Sequence, residues 1–238
     1  MIKPILATAV LAVSMASTAT TQDINYQNPQ SWGGTCKTGK SQSPIDINGT
    51  EAAHTYALQL HYNVTALDLV NTGSGLQQTY QAGSMMKVGM KSYELKHINF
   101  HTPSEHTIMG KKFPAALHFV HTDQSGNVAI IGAMVETGTE NAAAKELLAS
   151  LPANKGDSRK NARTQINARD LMPHNKSYYR YMGSLTTPPC SEGVNWYLLK
   201  TPIQMSAGQL QALEGVMKMN ARPVQSRNYR LIVDTNSQ

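Results

Sequence analysis

No apolar run beyond residue 16 is long enough to cross a bilayer. A membrane-spanning helix needs about 20 apolar residues, and charges, glycine or proline interrupt every later hydrophobic stretch. The chain also lacks internal repeats and low-complexity linkers, so its length fits one large domain with a sizeable core. It has no basic helix and no ladder of aromatics among its basic residues. The formal net charge of +6 comes from scattered lysines and arginines such as Lys37, Lys87, Lys111, Arg163 and Arg227. That distribution gives a soluble surface with weak attraction for anions, and argues against nucleic-acid binding. Cysteine is nearly absent, with only Cys36 and Cys190.

What is present begins at the N-terminus. Residues 1–16, MIKPILATAVLAVSMA, set one lysine ahead of an apolar run that ends in small residues. This pattern is a secretory signal peptide, with cleavage expected after Ala16 or Ala19. The expected division is a signal segment over 1–19 and one domain over 20–238, in a periplasmic or secreted protein. In an oxidising compartment Cys36 and Cys190 are expected to pair. Closing so long a loop stabilises a fold by roughly 4–5 kcal/mol in the chain-entropy model, before strain is subtracted.

Along the mature chain the dominant hydrophobic period is two. It predicts strands over 58–62, 66–70, 93–101, 116–121, 128–136, 194–200 and 229–233, separated by turn signals such as NTGSG at 71–75 and DQSGN at 123–127. Two helices are expected, over 141–151 and 206–219, the second with Ser206 as N-cap. The balance predicts a mainly β, single-domain fold around one mostly antiparallel sheet with a few surface helices.

The chemistry gathers in HINFHTPSEH, residues 97–106. Side chains two apart on a strand share a face. His97, Asn99 and His101 therefore point one way, Ile98 and Phe100 the other. On 116–121, His118 shares a face with Ala116 and Val120. If these strands are neighbours, two imidazoles and a carboxamide converge beside an apolar wall. A lone histidine is usually just a hydrogen-bonded or exposed residue. Five within residues 97–121, two of them in phase on facing strands, point instead to metal. Zinc takes three protein ligands plus a water where it is catalytic.

The motifs QSPIDI (42–47), FHTPSEHTI (100–108), ALHFVH (116–121), GSLTTPPC (183–190), VNWYLLK (194–200) and NARPVQ (220–225) occur in this order across nearly the whole mature chain. In them the sequence resembles the alpha-class carbonic anhydrases of the bacterial exported kind. The resemblance implies a central, mostly antiparallel, twisted ten-stranded sheet, a Cys36–Cys190 disulfide, a Zn2+ cofactor, and reversible hydration of carbon dioxide to bicarbonate and a proton. It implies no nucleic-acid partner and leaves any protein partner unknown. Two of the family's three zinc histidines match His101 and His118; the first falls on Asn99. Asparagine offers a neutral oxygen on a shorter side chain, so zinc affinity and geometry are expected to suffer. His97, on the right face but four residues and about 13 Å along the strand from His101, is expected to support the residue at 99 and not the metal.

The rest of the implied site is better kept. Thr186 matches the threonine that orients the nucleophile, and Glu105 the carboxylate that accepts its hydroxyl proton. Thr187 matches a residue beside the substrate. Val120, Ile130, Leu185, Val194 and Trp196 match the apolar wall that receives carbon dioxide, with plain core packing an equal alternative for Ile130 and Trp196. Tyr26 matches a tyrosine of the site's water network, and His106 a buried structural histidine. Two more positions depart: Ser74 stands where many members carry a proton-shuttling histidine, and Ala116 where a glutamate often orients the third zinc histidine. The expected function is a zinc-dependent carbon dioxide hydratase weakened at Asn99, or a single-residue variant of an active one. The alternative is a non-catalytic, carbonic anhydrase-related binding protein.

Overall fold

Residues 91–137 carry one alternating stretch and two apolar runs, and they form three long adjacent strands at the middle of the sheet. The structure is a computed structural model and describes residues 24–149 and 151–235; the expected signal peptide lies outside the described residues. Ten strands make one continuous path. In chain order they are β1 (Glu51–Ala53), β2 (Thr65–Asn71), β3 (Leu76–Thr79), β4 (Lys91–His101), β5 (Ala115–Thr122), β6 (Val128–Thr137), β7 (Ser158–Ile166), β8 (Tyr178–Ser184), β9 (Glu192–Leu199) and β10 (Val233–Thr235). Across the sheet they run β7-β2-β3-β4-β5-β6-β9-β8-β10-β1. Three short strands, Gln59–His61, Met85–Val88 and Ile203–Met205, attach beside this path.

Most neighbours are antiparallel, but the sheet is mixed. β6 runs parallel to β9 and to Ile203–Met205, and β10 runs parallel to β1. The parallel seam follows from connectivity. After β6 the chain crosses to the far edge as β7, returns as β8, and pairs back as β9 into the place beside β6.

Two helices, α1 (Ala142–Leu148) and α2 (Ala207–Met217), start where the sequence places their caps. The Asn141 side chain accepts from the Ala144 N–H, and Ser206 with Gln209 forms a reciprocal capping box. α1 ends before the expected residue 151, ahead of Pro152, which disfavours helical backbone in the residue before it. The strand expected over 229–233 is a turn for most of its length. Asn228 and Tyr229 both have positive φ, +50° and +59°, the Arg230 N–H closes onto the Arg227 carbonyl, and only Val233 onward joins the sheet.

The sheet separates two apolar clusters. Ile98, Phe100, Leu117, Phe119 and Ile131 face the larger one, shared with α1 and α2. Ala116, Val120, Ile130 and Trp196 face the smaller. The disulfide is formed: Cys36 and Cys190, 154 residues apart in sequence, have Cα atoms 5.0 Å apart. No helix among the described residues is long and apolar enough to cross a membrane.

Candidate metal centre and active site

The period-two pattern of 97–101 sets the site. β4 and β5 pair antiparallel with Asn99 directly opposite His118, and His118 in turn faces Gly132 on β6. The position opposite His118 is glycine for a packing reason. A Cβ on Gly132 would come within 2.5 Å of Leu198. A bulge between Leu95 and His97 resets the alternation, so Leu95 and Ile98 are buried while His97 and Asn99 lie half-buried on the opposite side. The His101 and His118 rings approach to 4.4 Å between centroids, and both residues are almost wholly buried.

Each imidazole is aimed by what packs against it. His101 Nδ1 lies 3.0 Å from the Asn220 carbonyl oxygen. A carbonyl only accepts, so Nδ1 carries a hydrogen, and in the neutral ring Nε2 presents a lone pair. Asn220 is locked in turn: its carboxamide accepts from the Thr102 N–H and donates to the Phe100 and Ser74 carbonyls. The His118 ring stands edge-on to Trp196 at 4.9 Å, and the Trp196 indole donates to the Ser184 carbonyl. The sequence pattern marks no part for Asn220; its sole signal is its place in NARPVQ.

Glu105 is fully buried between these elements. Its Oε1 accepts from the Arg222 backbone N–H at 2.9 Å, and the Thr186 hydroxyl hydrogen-bonds the same carboxylate. Oε2 has no hydrogen-bond partner and lies 3.7 Å from His101 Nε2 and 3.6 Å from His118 Nδ1. Arg222, likewise unmarked by the sequence pattern, braces the wall. Its guanidinium donates to the Gln42 side chain and to the Ser43 and Cys36 carbonyls. Through Cys36 and the disulfide this brace reaches the loop that carries Thr186 and Thr187.

These groups open onto a cavity of about 440 Å³. Val120, Ile130 and Leu185 line one side, with Val128; Thr186, Thr187, Asn99, His97, Ser74 and Tyr26 complete it. Val194 and Trp196, expected on the apolar wall, lie behind it. They are buried in the smaller core, where Trp196 supports His118 and does not line the cavity. His106 is buried with its Nε2 2.6 Å from the Tyr181 hydroxyl. His97 is outside the cluster of converging ligand atoms.

Burial sets the charge states. It holds His118 well below the usual imidazole range, with repulsion from His101 and His106 in the same sense. Burial likewise brings His106 to about 3 and lowers His97. A neutral imidazole is the form that binds metal. For Glu105 burial pushes the carboxyl up, opposed by His101, the Thr186 hydroxyl and Arg222.

The donor set suits zinc. Among the described residues, His101, Glu105 and His118 are the group of metal-ligating side chains whose donor atoms converge, all within 4.8 Å of one another. Nitrogen and carboxylate oxygen are both ordinary zinc donors. The orphaned Glu105 Oε2 is the kind of atom a cation satisfies.

A large mixed sheet with two imidazoles at the wall of an open cavity, and a buried carboxylate behind them, defines a β-sheet protein with a candidate metal centre. Comparison with known proteins gives the family. The sequence pattern of the eukaryotic-type carbonic anhydrases matches residues 27–238. A carbonic anhydrase of Klebsiella pneumoniae is 35% identical over 239 residues, covering 95% of this chain and 97% of that protein. One from Nostoc is 34% identical over 236 residues, covering 94% and 89%. The solved alpha-carbonic anhydrase of Photobacterium profundum superposes with a TM-score of 0.83 at 40% identity, covering 90% of this chain and 98% of that one. The chain belongs to the alpha-carbonic anhydrase family, enzymes of carbon dioxide hydration.

Proposed function

We propose that this chain is a zinc-dependent hydratase that converts carbon dioxide to bicarbonate and a proton, with zinc held by His101 and His118 and Asn99 a weak donor at the remaining histidine position. The observation that carries the proposal is the convergence of His101 Nε2 and His118 Nδ1 beside the Thr186–Glu105 pair, under an apolar wall. Zinc, when bound, supplies an acidified water near neutral pH, with a water pKa of about 7 that belongs to the family's established chemistry and is its best-known example.

The chain's own residues do the rest. An ionised Glu105 carboxylate only accepts, so the Thr186 hydroxyl gives it its hydrogen and presents lone pairs to the cavity. A nucleophile there must donate to Thr186 and so turns its own lone pair toward substrate. Val120, Ile130 and Leu185 offer an apolar surface suited to carbon dioxide, and Thr187 stands beside it. At the cavity wall Ser74 is hydrogen-bonded to Thr72, and a hydroxyl cannot relay protons by titration near neutral pH.

Zinc analysis and stopped-flow carbon dioxide hydration test this on one preparation. The expected result is zinc that mild chelation strips and hydration that rises with zinc supplied. The losses at Asn99 and Ser74 favour a second reading, a non-catalytic binding protein. Zinc-loaded protein that hydrates no faster than buffer would put that reading first.

Export is part of the same proposal. It is supported by the N-terminal apolar segment and the Cys36–Cys190 disulfide. Intact mass of periplasmic material should place the mature start between residues 17 and 23, and denatured protein should show no titratable thiol. A full-length mass with two free thiols would overturn it.

A further inference from the structure

The Glu105 carboxylate has one oxygen that no hydrogen bond satisfies. Oε1 is fixed by the Arg222 N–H. Oε2 is sealed from solvent and has no hydrogen-bond partner. It faces His101 Nε2, which in the neutral ring carries no hydrogen because Nδ1 gives its own to the Asn220 carbonyl. It also faces His118 Nδ1 at 3.6 Å, beyond hydrogen-bond reach. An orphaned, buried carboxylate oxygen and two imidazole nitrogens therefore confront each other where the cavity ends. Such an arrangement is costly as it stands and is satisfied by a cation at its centre.

The separations fit that use. Ligand bonds of about 2.0–2.1 Å at tetrahedral angles put donor atoms about 3.4 Å apart. The Glu105 oxygen is 3.7 and 3.6 Å from the two nitrogens. The three donor atoms lie within 4.8 Å of one another, so the two carboxylate–nitrogen edges close by a few tenths of an ångström and the imidazole rings draw together on the ion.

We propose that Glu105 Oε2 is the third protein ligand of the metal, giving with His101 Nε2 and His118 Nδ1 a two-imidazole, one-carboxylate centre that makes up for Asn99. The inference rests on the zinc reading above. Glu105 keeps its hydrogen bonds from Arg222 and Thr186 while Oε2 turns to the metal. The same side chain thus both holds the ion and orients the threonine.

The test measures zinc affinity by competition with a chromophoric chelator, for the native protein, Glu105→Gln, Asn99→Ala, Asn99→His and Asn99→His with Glu105→Gln. Glutamine keeps the shape of glutamate and removes the charge. Removing a group that merely supports a ligand costs 10–100-fold in affinity, so Glu105→Gln should cost 100-fold or more. Asn99→Ala should cost less than tenfold. With histidine at 99 the Glu105→Gln loss should fall below tenfold, because three imidazoles then suffice. An equal loss in both backgrounds, or native affinity in Glu105→Gln, overturns the inference and leaves the zinc reading standing. Native protein that takes up no zinc overturns both.

A measurement on the unaltered chain guards against a misfolded variant. Zinc addition should shift a carboxylate stretching band in the infrared difference spectrum, since Glu105 is the carboxylate of the cluster. A difference spectrum without a carboxylate band overturns the proposal.

Discussion

Asn99→His should raise zinc affinity by 100-fold or more and lift carbon dioxide hydration with it. Position 99 lies on the cavity side of β4, directly opposite His118 and two residues from His101. A histidine there projects from the correct face of a strand whose register is fixed by pairing on both sides. The change exchanges one neutral side chain for another, so zinc's effect on its water is kept while a nitrogen donor is gained. Asn99 is half-buried at an open cavity, so the larger ring has room. The repaired enzyme should then be limited by proton export, because Ser74 offers no titratable group. Ser74→His should therefore help only in the repaired background, and most where buffer is dilute. Stopped-flow hydration at fixed zinc, for wild type, each single change and the double change, reads both effects. A variant with histidine at 99 that binds zinc fully and stays inactive would place the defect outside the ligand set.

The strands that build the site are the legible part of the sequence. β4 alternates along most of its length, β5 and β6 are buried on both faces and read as bounded apolar runs, and the predicted bounds of all three agree with the structure to within two residues. β7 escapes a reading by period because it is an edge strand exposed at most positions, with no buried face to leave a pattern. β8 escapes it because its burial follows no simple period; tyrosines at 178, 179 and 181 are divided unevenly between core and surface. The reverse error arises at 229–233, where apolar residues in a turn imitate a strand.

The same contrast runs through the site. Strand phase reveals that His101 and His118 face one another, because phase is local. Nothing local reveals that Asn220 aims His101 from 119 residues away, or that Arg222 fixes Glu105 from 117. Nor does spacing show that Glu105 Oε2 sits among the nitrogens. That depends on the loop after β4 folding back under the sheet.

His118→Ala should abolish measurable zinc binding while the fold survives. His118 is the ligand for which the fold has no substitute. It stands at the centre of the sheet, 4.4 Å from His101 ring to ring, and no other imidazole among the described residues converges on that point. Removing it leaves one imidazole, His101, with Glu105 and the weak donor Asn99, too few strong ligands to hold zinc against water. The structural cost is smaller than for a purely apolar side chain of this size. Truncating a large core residue to alanine typically costs about 3–5 kcal/mol. Here, though, His118 Nε2 is buried without a partner, and removing an unsatisfied polar atom returns about 1–3 kcal/mol. The second effect offsets about half of the first and leaves a net cost of about 2 kcal/mol, so thermal unfolding without metal should stay cooperative with a lowered midpoint. Zinc dependence is the sharper readout. A ligand that binds only the folded state stabilises it by about 2.7 kcal/mol at 100 times its dissociation constant. Added zinc should therefore raise the unfolding midpoint of the native protein and leave that of His118→Ala unmoved. If the variant keeps one zinc per chain through dialysis against chelator, or melts higher when zinc is added, the metal is held elsewhere and His118 is not its ligand.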